Sequence, residues 1–497
     1  MSTELHERKS RLDTAFIHGM GWTAGAKWLT QGLTWVSVIV VARLLSPSDF
    51  GISDMAGLVT VMMTFLAEFG IGTAVLQIRE MDRRTLAQLN TLSLLLGLAA
   101  ILLSVLVAPL GAWFFHLPAL APLIAWNSLG FLPTAIQAIP SGLLQKDLDY
   151  RRLSIIEAAQ AVVQAVVIML CAFLGFAYWS FVISATTGRC VAAGLSYYWR
   201  PVSFSWPRRS EIGAAMRFGI EVAVQRIATT ISASSDTIIV GRILGSAPLG
   251  AYRLAINLSS APVDKLAMLI MRVTGPLFAS LQDDKPLMRR YFLIFSDLLA
   301  LVLCPLMSGF IITAPDVIAL TLGPKWDAVV GPSQWLAAYI GIRSLGILMN
   351  QILTSLHRTG FLMRLSIVGF AVMPVVFYFA SPYGTSAVAA GWVLTAPITL
   401  FPMIPQVLRA LDCSVWTYLR VLLPSFAAMS VMTLAVLAVQ MKIPGDWPPL
   451  WRLIAAVASG AVVYVSVIFA IHHTRIWQYI QFLKQLRSRN SASIVRA

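Results

Sequence analysis

Apolar stretches of about 20 residues recur along the whole of this 497-residue chain, separated by short polar loops. A helix of that length crosses the hydrocarbon core of a bilayer, where every backbone polar group must be bonded internally. The pattern therefore specifies an all-α polytopic membrane protein. Composition agrees: 58% of residues are hydrophobic and 12% charged, about half the charge of a soluble domain. The loops leave no room for a separate soluble domain. The opening stretch MSTELHERKSRLDTAFIH is polar, and no removable signal peptide is expected, because no short apolar core with a small-residue cleavage site follows it.

Fourteen spans are expected, near residues 19–44, 51–76, 88–112, 119–145, 153–175, 178–199, 214–244, 250–277, 291–314, 331–357, 364–382, 385–408, 418–440 and 450–471. The loops between them alternate in charge. One set carries Arg79, Arg83 and Arg84; Lys146, Arg151 and Arg152; Arg200, Arg208 and Arg209; Lys285, Arg289 and Arg290; Arg358 and Arg364; Arg409 and Arg420. The other set is nearly free of basic residues. The positive-inside rule places the first set, and with it both termini, in the cytoplasm. The net charge of +15 is then a topology signal and a contact with anionic lipid heads, and no nucleic-acid partner is expected. Cys171, Cys190, Cys304 and Cys413 are scattered, and the six histidines form no ligand spacing. Neither a metal, a cofactor nor a disulfide framework is expected.

One corner is written twice. "VVARLLSPSDFG" (40–51) and "IVGRILGSAPLG" (239–250) share an Arg, two following aliphatic residues and a Gly eight positions after the Arg. Arg43 and Arg242 are 199 residues apart (242 − 43), and at that offset Leu45 meets Leu244 and Gly51 meets Gly250. Six spans lie between the copies, and an even number preserves orientation. The result is a parallel repeat about an axis along the membrane normal. The expected organisation is an N-lobe at 1–199, a cytoplasmic linker at 200–213, a C-lobe at 214–408, two further spans at 409–471, and a cytoplasmic amphipathic tail at 472–497. Each lobe has six helices, and the lobes are related by a pseudo-twofold. Ser46-Pro47-Ser48-Asp49 is turn chemistry, with Gly51 and Gly250 expected to open the helices that follow. Arg43 and Arg242 suit the C-terminal ends of their helices, where a cation meets the last carbonyls; contact with a substrate at the outer mouth is the other reading.

Polar residues form stripes on the spans leading into both corners. Lys27, Thr30, Gln31, Thr34 and Ser37 share one face of the first. Arg226, Thr229, Thr230 and Asp236 sit 199 residues beyond Lys27, Thr30, Gln31 and Ser37, with Ala233 as an apolar gap. A Lys or Arg at the bilayer centre costs ~2.5–3.5 kcal/mol, so such faces turn toward a bundle interior or an aqueous cavity. The polar groups expected to line a cavity are Lys27, Gln31, Thr34, Arg226, Thr230, Arg272, Arg343 and Asn350. Thr60, Thr64 and Glu68 share a face of span two, and Arg253, Asn257, Ser260 and Asp264 a face of span eight. Glu68 and Asp236 are the candidate coupling acids, since a buried carboxylate can exchange protons; each is also a candidate ion-pair partner. Interhelical bonding that merely holds the bundle is the competing reading, and in the second half a wholly paired network remains open, with Asp264 or Asp297 matched to Lys265, Arg272 or Arg343.

Catalytic readings are weak. Asp147-Leu148-Asp149 is a D-x-D pair of the kind that holds a metal-bound nucleotide sugar, but three residues without a surrounding domain read as a solvated loop. Gly323-Pro324-Lys325 lacks the frame of a phosphate loop. The chain is not expected to be an enzyme.

The motifs "ARLLSPSDFG" and "FLAEFGIGTAVLQ", "LLQKDLDYRRLSIIE", "IIVGRILGSAPLGAY" and "LTLGPKWDAVVGPSQWLA" together resemble the polysaccharide-flippase branch of the MATE-like transporter superfamily, the Wzx-type exporters of lipid-linked oligosaccharides. The resemblance covers nearly the whole chain. It implies two six-helix bundles around a central cavity with two added helices, in a bacterial inner membrane. It implies an undecaprenyl-pyrophosphate-linked oligosaccharide as cargo, membrane lipids as surroundings, and a polysaccharide polymerase and chain-length machinery as partners. Lys27 and Arg226 have the charge that a pyrophosphate requires. An ion-coupled drug or cation antiporter of the same superfamily is the alternative.

Overall fold

A computed structural model of the chain describes residues 30–68, 82–207, 225–227, 229–231, 233–444 and 447–470, without the side chains of 65–68 and 269. Among these residues all regular structure is helical. The helices are α1 (Thr30–Leu44), α2 (Pro47–Glu68), α3 (Arg83–Phe115), α4 (Leu120–Ser128), α5 (Phe131–Lys146), α6 (Tyr150–Phe173), α7 (Trp179–Trp199), α8 (Ser235–Leu244) and α9 (Ser246–Ser280). They continue with α10 (Lys285–Thr321), α11 (Val330–Ser355), α12 (Thr359–Ala380), α13 (Thr385–Thr399), α14 (Met403–Ala410), α15 (Val415–Lys442) and α16 (Pro449–Ala470). Eight of the described helical segments are long and apolar enough to cross a bilayer, and α9, bent near residue 269, makes a ninth. Each of the fourteen expected spans coincides with at least one helix, so the positions are compatible with that count. The expected interfacial tail at 472–497, residue Lys27 and part of the 200–213 linker lie outside the described residues.

The chain divides into two compact units, Met1–Arg253 and Leu254–Ala497. In the first, the helices close on small residues. A Cβ on Gly97 would lie 2.9 Å from that of Ala135, and one on Gly111 3.0 Å from Ile124. Such positions let membrane helices approach until dispersion contacts replace a hydrophobic drive that lipid does not supply. Leu144, Ile156 and Ala192 form one buried cluster joining α5, α6 and α7, and Val41, Leu45 and Ala172 join α1 to α6. In the second unit, Ala428, Met432, Val436, Ala456, Tyr464 and Ile468 knit α15 to α16, with Leu301 and Ile312 of α10 packed against them. The remaining faces are apolar and exposed, as at Leu106, Trp113, Val462 and Leu434, which is what a lipid-facing surface requires.

Helix ends follow local chemistry. Ser46 caps α2: its Oγ accepts from the Asp49 N–H at 3.3 Å, while Asp49 Oδ2 accepts from the Ser46 N–H at 2.9 Å and its hydroxyl at 2.6 Å. This reciprocal cap starts α2 at Pro47, so Gly51 is its fifth residue, and Gly250 is likewise the fifth residue of α9. The glycines therefore lie inside the helices and do not open them. Several reversals between antiparallel helices use one left-handed residue. His116 (φ 54°) ends α3, with Leu117 N–H bonded to Ala112 O at 3.0 Å. The segment after α7 runs along α3, where Asn90 donates to the carbonyl of Val202 at 3.3 Å and Ser205 N–H to Thr91 Oγ1 at 3.0 Å.

Candidate functional site

The two corners meet. A Cβ added to Gly51 would collide with the carbonyl of Ser246, and one added to Gly250 with the carbonyl of Pro47 and the backbone nitrogen of Gly51. Because 246 − 47 and 250 − 51 are both 199, these two close approaches are the same contact seen from either copy. The pseudo-twofold of the sequence repeat thus passes between α2 and α9 at this crossing. Ser48 Oγ and Ser246 Oγ are 2.8 Å apart beside it. Only glycine permits backbones this close, which explains why both copies keep it at this position.

One turn further, Asp54 Oδ1 lies 3.7 Å from Arg253 Nε. Behind Arg253, the Tyr252 hydroxyl donates to Asp236 Oδ2 at 2.8 Å, and Asp236 Oδ1 accepts from the Thr237 N–H at 2.6 Å and hydroxyl at 3.1 Å. Asp236 is 2% exposed. The candidate coupling acid is therefore held by three hydrogen bonds from its own repeat. Arg242 sends its Nη1 to His116 Nε2 at 2.6 Å and stacks over Phe114 at 5.4 Å. It bridges the end of α8 to the end of α3, where sequence reasoning expected a cap of its own helix.

The second unit carries a polar face on otherwise apolar helices. Asp264, Lys265 and Arg272 of α9 are exposed, as are Arg343, Asn350 and Thr354 of α11. Arg343 Nη2 is 3.5 Å from Asp264 Oδ1, one of the pairings expected from sequence. Gln351 bonds to Thr274, tying the two helices together below that pair. Three cations stand against one acid on this face. A charge on a membrane helix that faces lipid costs ~2.5–3.5 kcal/mol, which favours a solvated setting for this face.

The first unit's stripe is built differently. The Thr34 hydroxyl donates to the Thr30 carbonyl at 2.8 Å, and that of Ser37 to Thr34 at 2.9 Å. Hydroxyls bonded back to their own helix tolerate either lipid or water. Thr34 is exposed, Gln31, Arg226 and Thr230 are half-buried, and Ser37 is buried. Lys27 and the Glu68 side chain lie outside the described residues. Sequence reasoning missed two features. Arg189, midway along α7, lays its guanidinium against Gly130, where α4 gives way to α5; an isolated arginine within an apolar span was the signal. The Asp54–Arg253 pair carried only a partial signal, since 253 − 54 is 199, which makes the two residues equivalent without saying that they meet.

The D-x-D motif has a structural explanation. Asp149 caps α6 by accepting from the Arg152 N–H at 3.1 Å, and Asp147 pairs with Arg200. Asp149 thus starts α6, and Asp147 holds the turn to the end of α7. Asp316 and Arg452 form a tight pair, 2.5 Å, that fastens α16 to α10.

Known proteins share this plan. The chain is 26% identical to the lipopolysaccharide biosynthesis protein WzxC of Escherichia coli (strain K12), over 82% of this chain and 86% of that one. It is 27% identical to the teichuronic acid biosynthesis protein TuaB of Bacillus subtilis (strain 168), over 66% and 69%. Among solved structures, the lipid II flippase MurJ in an inward closed conformation aligns with a TM-score of 0.71 at 13% identity, over 91% of this chain and 99% of that one. An inward-facing multidrug-resistance MATE transporter of the MOP superfamily aligns at 0.59 and 14% identity, over 78% and 96%. The two structural likenesses show the fold, which this chain shares with MurJ and the MATE transporter. The sequence profile of the family described as polysaccharide biosynthesis protein matches residues 40–331, more than half of the chain, and the chain belongs to that family.

Proposed function

We propose that this protein flips an undecaprenyl-pyrophosphate-linked oligosaccharide from the cytoplasmic to the periplasmic face of the bacterial inner membrane, by alternating access, during assembly of a surface polysaccharide such as exopolysaccharide, capsule or O-antigen. The observation that carries this reading is the exposed polar face of the second unit, where among the described residues of α9 and α11 Lys265, Arg272 and Arg343 accompany Asp264. A pyrophosphate is a compact, multiply charged anion, and guanidinium groups engage it through paired N–H donors. Asn350 and Thr354 beside them offer the amide and hydroxyl groups that sugars bind. The names of the relatives, which concern lipopolysaccharide and teichuronic acid biosynthesis, support the same cargo class. A drug or cation antiporter on this fold would need an acidic wall, and the sign here is opposite.

On this reading Lys27 and Arg226 supply the corresponding charge from the first span of each repeat, with Gln31, Thr34 and Thr230 beside them. Glu68 and Asp236 are the acids through which an ion gradient would act. Both termini are cytoplasmic, and a polymerase and chain-length machinery receive the product. Each hydrogen bond to a charged group is worth ~1.5–3 kcal/mol, so Arg272→Gln and Arg343→Gln should each lower export about tenfold or more. Membrane protein level should stay near that of the parent, because both side chains are exposed. Surface polysaccharide and protein level are measured on the same cells. Wild-type export by a well-expressed Arg272→Glu/Arg343→Glu variant would overturn the reading.

A further inference from the structure

The repeat brings equivalent residues face to face at the α2–α9 crossing, and one such pair carries opposite charge. Two symmetric helices that cross on their own axis put like against like, as Gly51 does against Gly250. Identical charges in the next turn would repel. The chain instead has Asp54 in one copy and Arg253 in the other, 3.7 Å apart. Residues 48, 51 and 54 follow one edge of α2 at i, i+3 and i+6, and 246, 250 and 253 follow one edge of α9 at i, i+4 and i+7, so the glycine and charged pairs keep the offset of 199 and the serine pair is one residue out of register. A hydroxyl pair, a glycine crossing and an ion pair therefore close the same seam.

We infer that Asp54 and Arg253 form an inter-repeat latch, which holds the corner side of the transporter shut and separates each time that side opens. The inference rests on the alternating-access reading given above. Three observations suit the pair to repeated opening. The side chains are each one-third exposed, with the Arg253 Nε atom buried, so water can receive both charges as they part. The separation of 3.7 Å makes this an ion pair without a direct Nε–H hydrogen bond, which is easier to break than a bidentate fork. Arg253 also has a fixed base: its neighbour Tyr252 is tied to Asp236 at 2.8 Å. The arginine thus stays with Tyr252 and Asp236 while Asp54 moves with α2. Asp236, 2% exposed and bonded three times, belongs to the base and not to the moving contact.

The test uses the full-length protein in cells, with Cys171, Cys190, Cys304 and Cys413 replaced by serine. Ser48→Cys reports access from outside through its labelling rate with a membrane-impermeant maleimide. A partly exposed ion pair shifts an equilibrium by about fivefold, and reversing its sign adds repulsion. Asp54→Asn should raise labelling about fivefold, and Asp54→Arg more than that. The swap Asp54→Arg/Arg253→Asp should return labelling to within about twofold of the parent. In a second arm, Ser48→Cys and Ser246→Cys together should form a disulfide that stops export of surface polysaccharide, and reductant should restore it. Labelling of well-expressed Asp54→Asn and Asp54→Arg at the parental rate would overturn the latch, as would full export by the cross-linked protein. Labelling that responds as expected while surface polysaccharide does not change would support the latch and reject the proposed cargo.

Discussion

Replacing Gly250 with alanine adds one methyl group at the tightest point of the α2–α9 crossing. The new Cβ would overlap the Pro47 carbonyl and the Gly51 backbone nitrogen. Neither is the end of a flexible side chain, so the two helices must part to make room. Alanine also raises helix propensity by about 1 kcal/mol. That gain applies equally with the corner side closed or open, because residue 250 is helical in both, so it cancels from the equilibrium between them. The clash exists only when the crossing is closed. Overpacking of this kind costs ~1–3 kcal/mol, which at 1.4 kcal/mol per decade shifts the closed-to-open ratio by about 5- to 150-fold. The assay is the rate of disulfide formation between Ser48→Cys and Ser246→Cys, whose hydroxyl oxygens are 2.8 Å apart in the native protein. Gly250→Ala should slow cross-linking by a factor in that range, with the protein still inserted at normal level. Gly51→Ala should do the same, because it is the equivalent contact from the other copy. Cross-linking of Gly250→Ala at the parental rate would refute the reasoning, since it would mean that the crossing can absorb a methyl group without opening.

Three other outcomes are expected. Arg452→Gln leaves Asp316, whose side chain is 7% exposed, without its charge partner; unpairing a buried ion costs ~3–5 kcal/mol, less here because Arg452 is one-third exposed, and it should lower the melting temperature in detergent, with Asp316→Asn/Arg452→Gln recovering much of the loss. Asp149→Ala should cost about 1 kcal/mol through the lost cap of α6 and leave melting equally insensitive to added manganese; a manganese-dependent stabilisation of the parent that this variant loses would restore the metal reading of the D-x-D pair. A reporter enzyme fused after Arg84 or Arg290 should read as cytoplasmic and one fused near Trp326 as extracytoplasmic, and the opposite result at two of these positions would reject the span assignment.

Most of the fold was legible in the sequence because its causes are local. An apolar run either is or is not long enough to span a bilayer, whatever its neighbours do. The helices accordingly fall where the apolar runs are, with ends shifted by local caps such as Ser46 with Asp49. The candidate site was legible in a weaker sense. A helical stripe such as Asp264, Arg343 or Asn350 marks which face is polar, and the exposure of those residues in the second unit agrees with that marking. A stripe does not say which helix it faces. Arg343 had several acids available, and the packing of α9 on α11 selected Asp264. Arg242 was assigned to its own helix end for want of any signal that His116, 126 residues away, would lie beside it.

The sequence by itself determined that this chain is a membrane bundle and that one corner motif is written twice at an offset of 199. These are properties of composition, periodicity and self-similarity, and each is carried by residues close together in the chain or by a fixed register between copies. Tertiary structure alone decided which copies of a residue meet. It set Gly51 on Gly250 and Asp54 on Arg253 at the pseudo-twofold, bound Asp236 to Tyr252, and closed Asp316 on Arg452 across 136 residues. The physical reason is that a hydrogen bond or ion pair depends on distances of a few ångströms between side chains, and those distances exist only after the helices have packed.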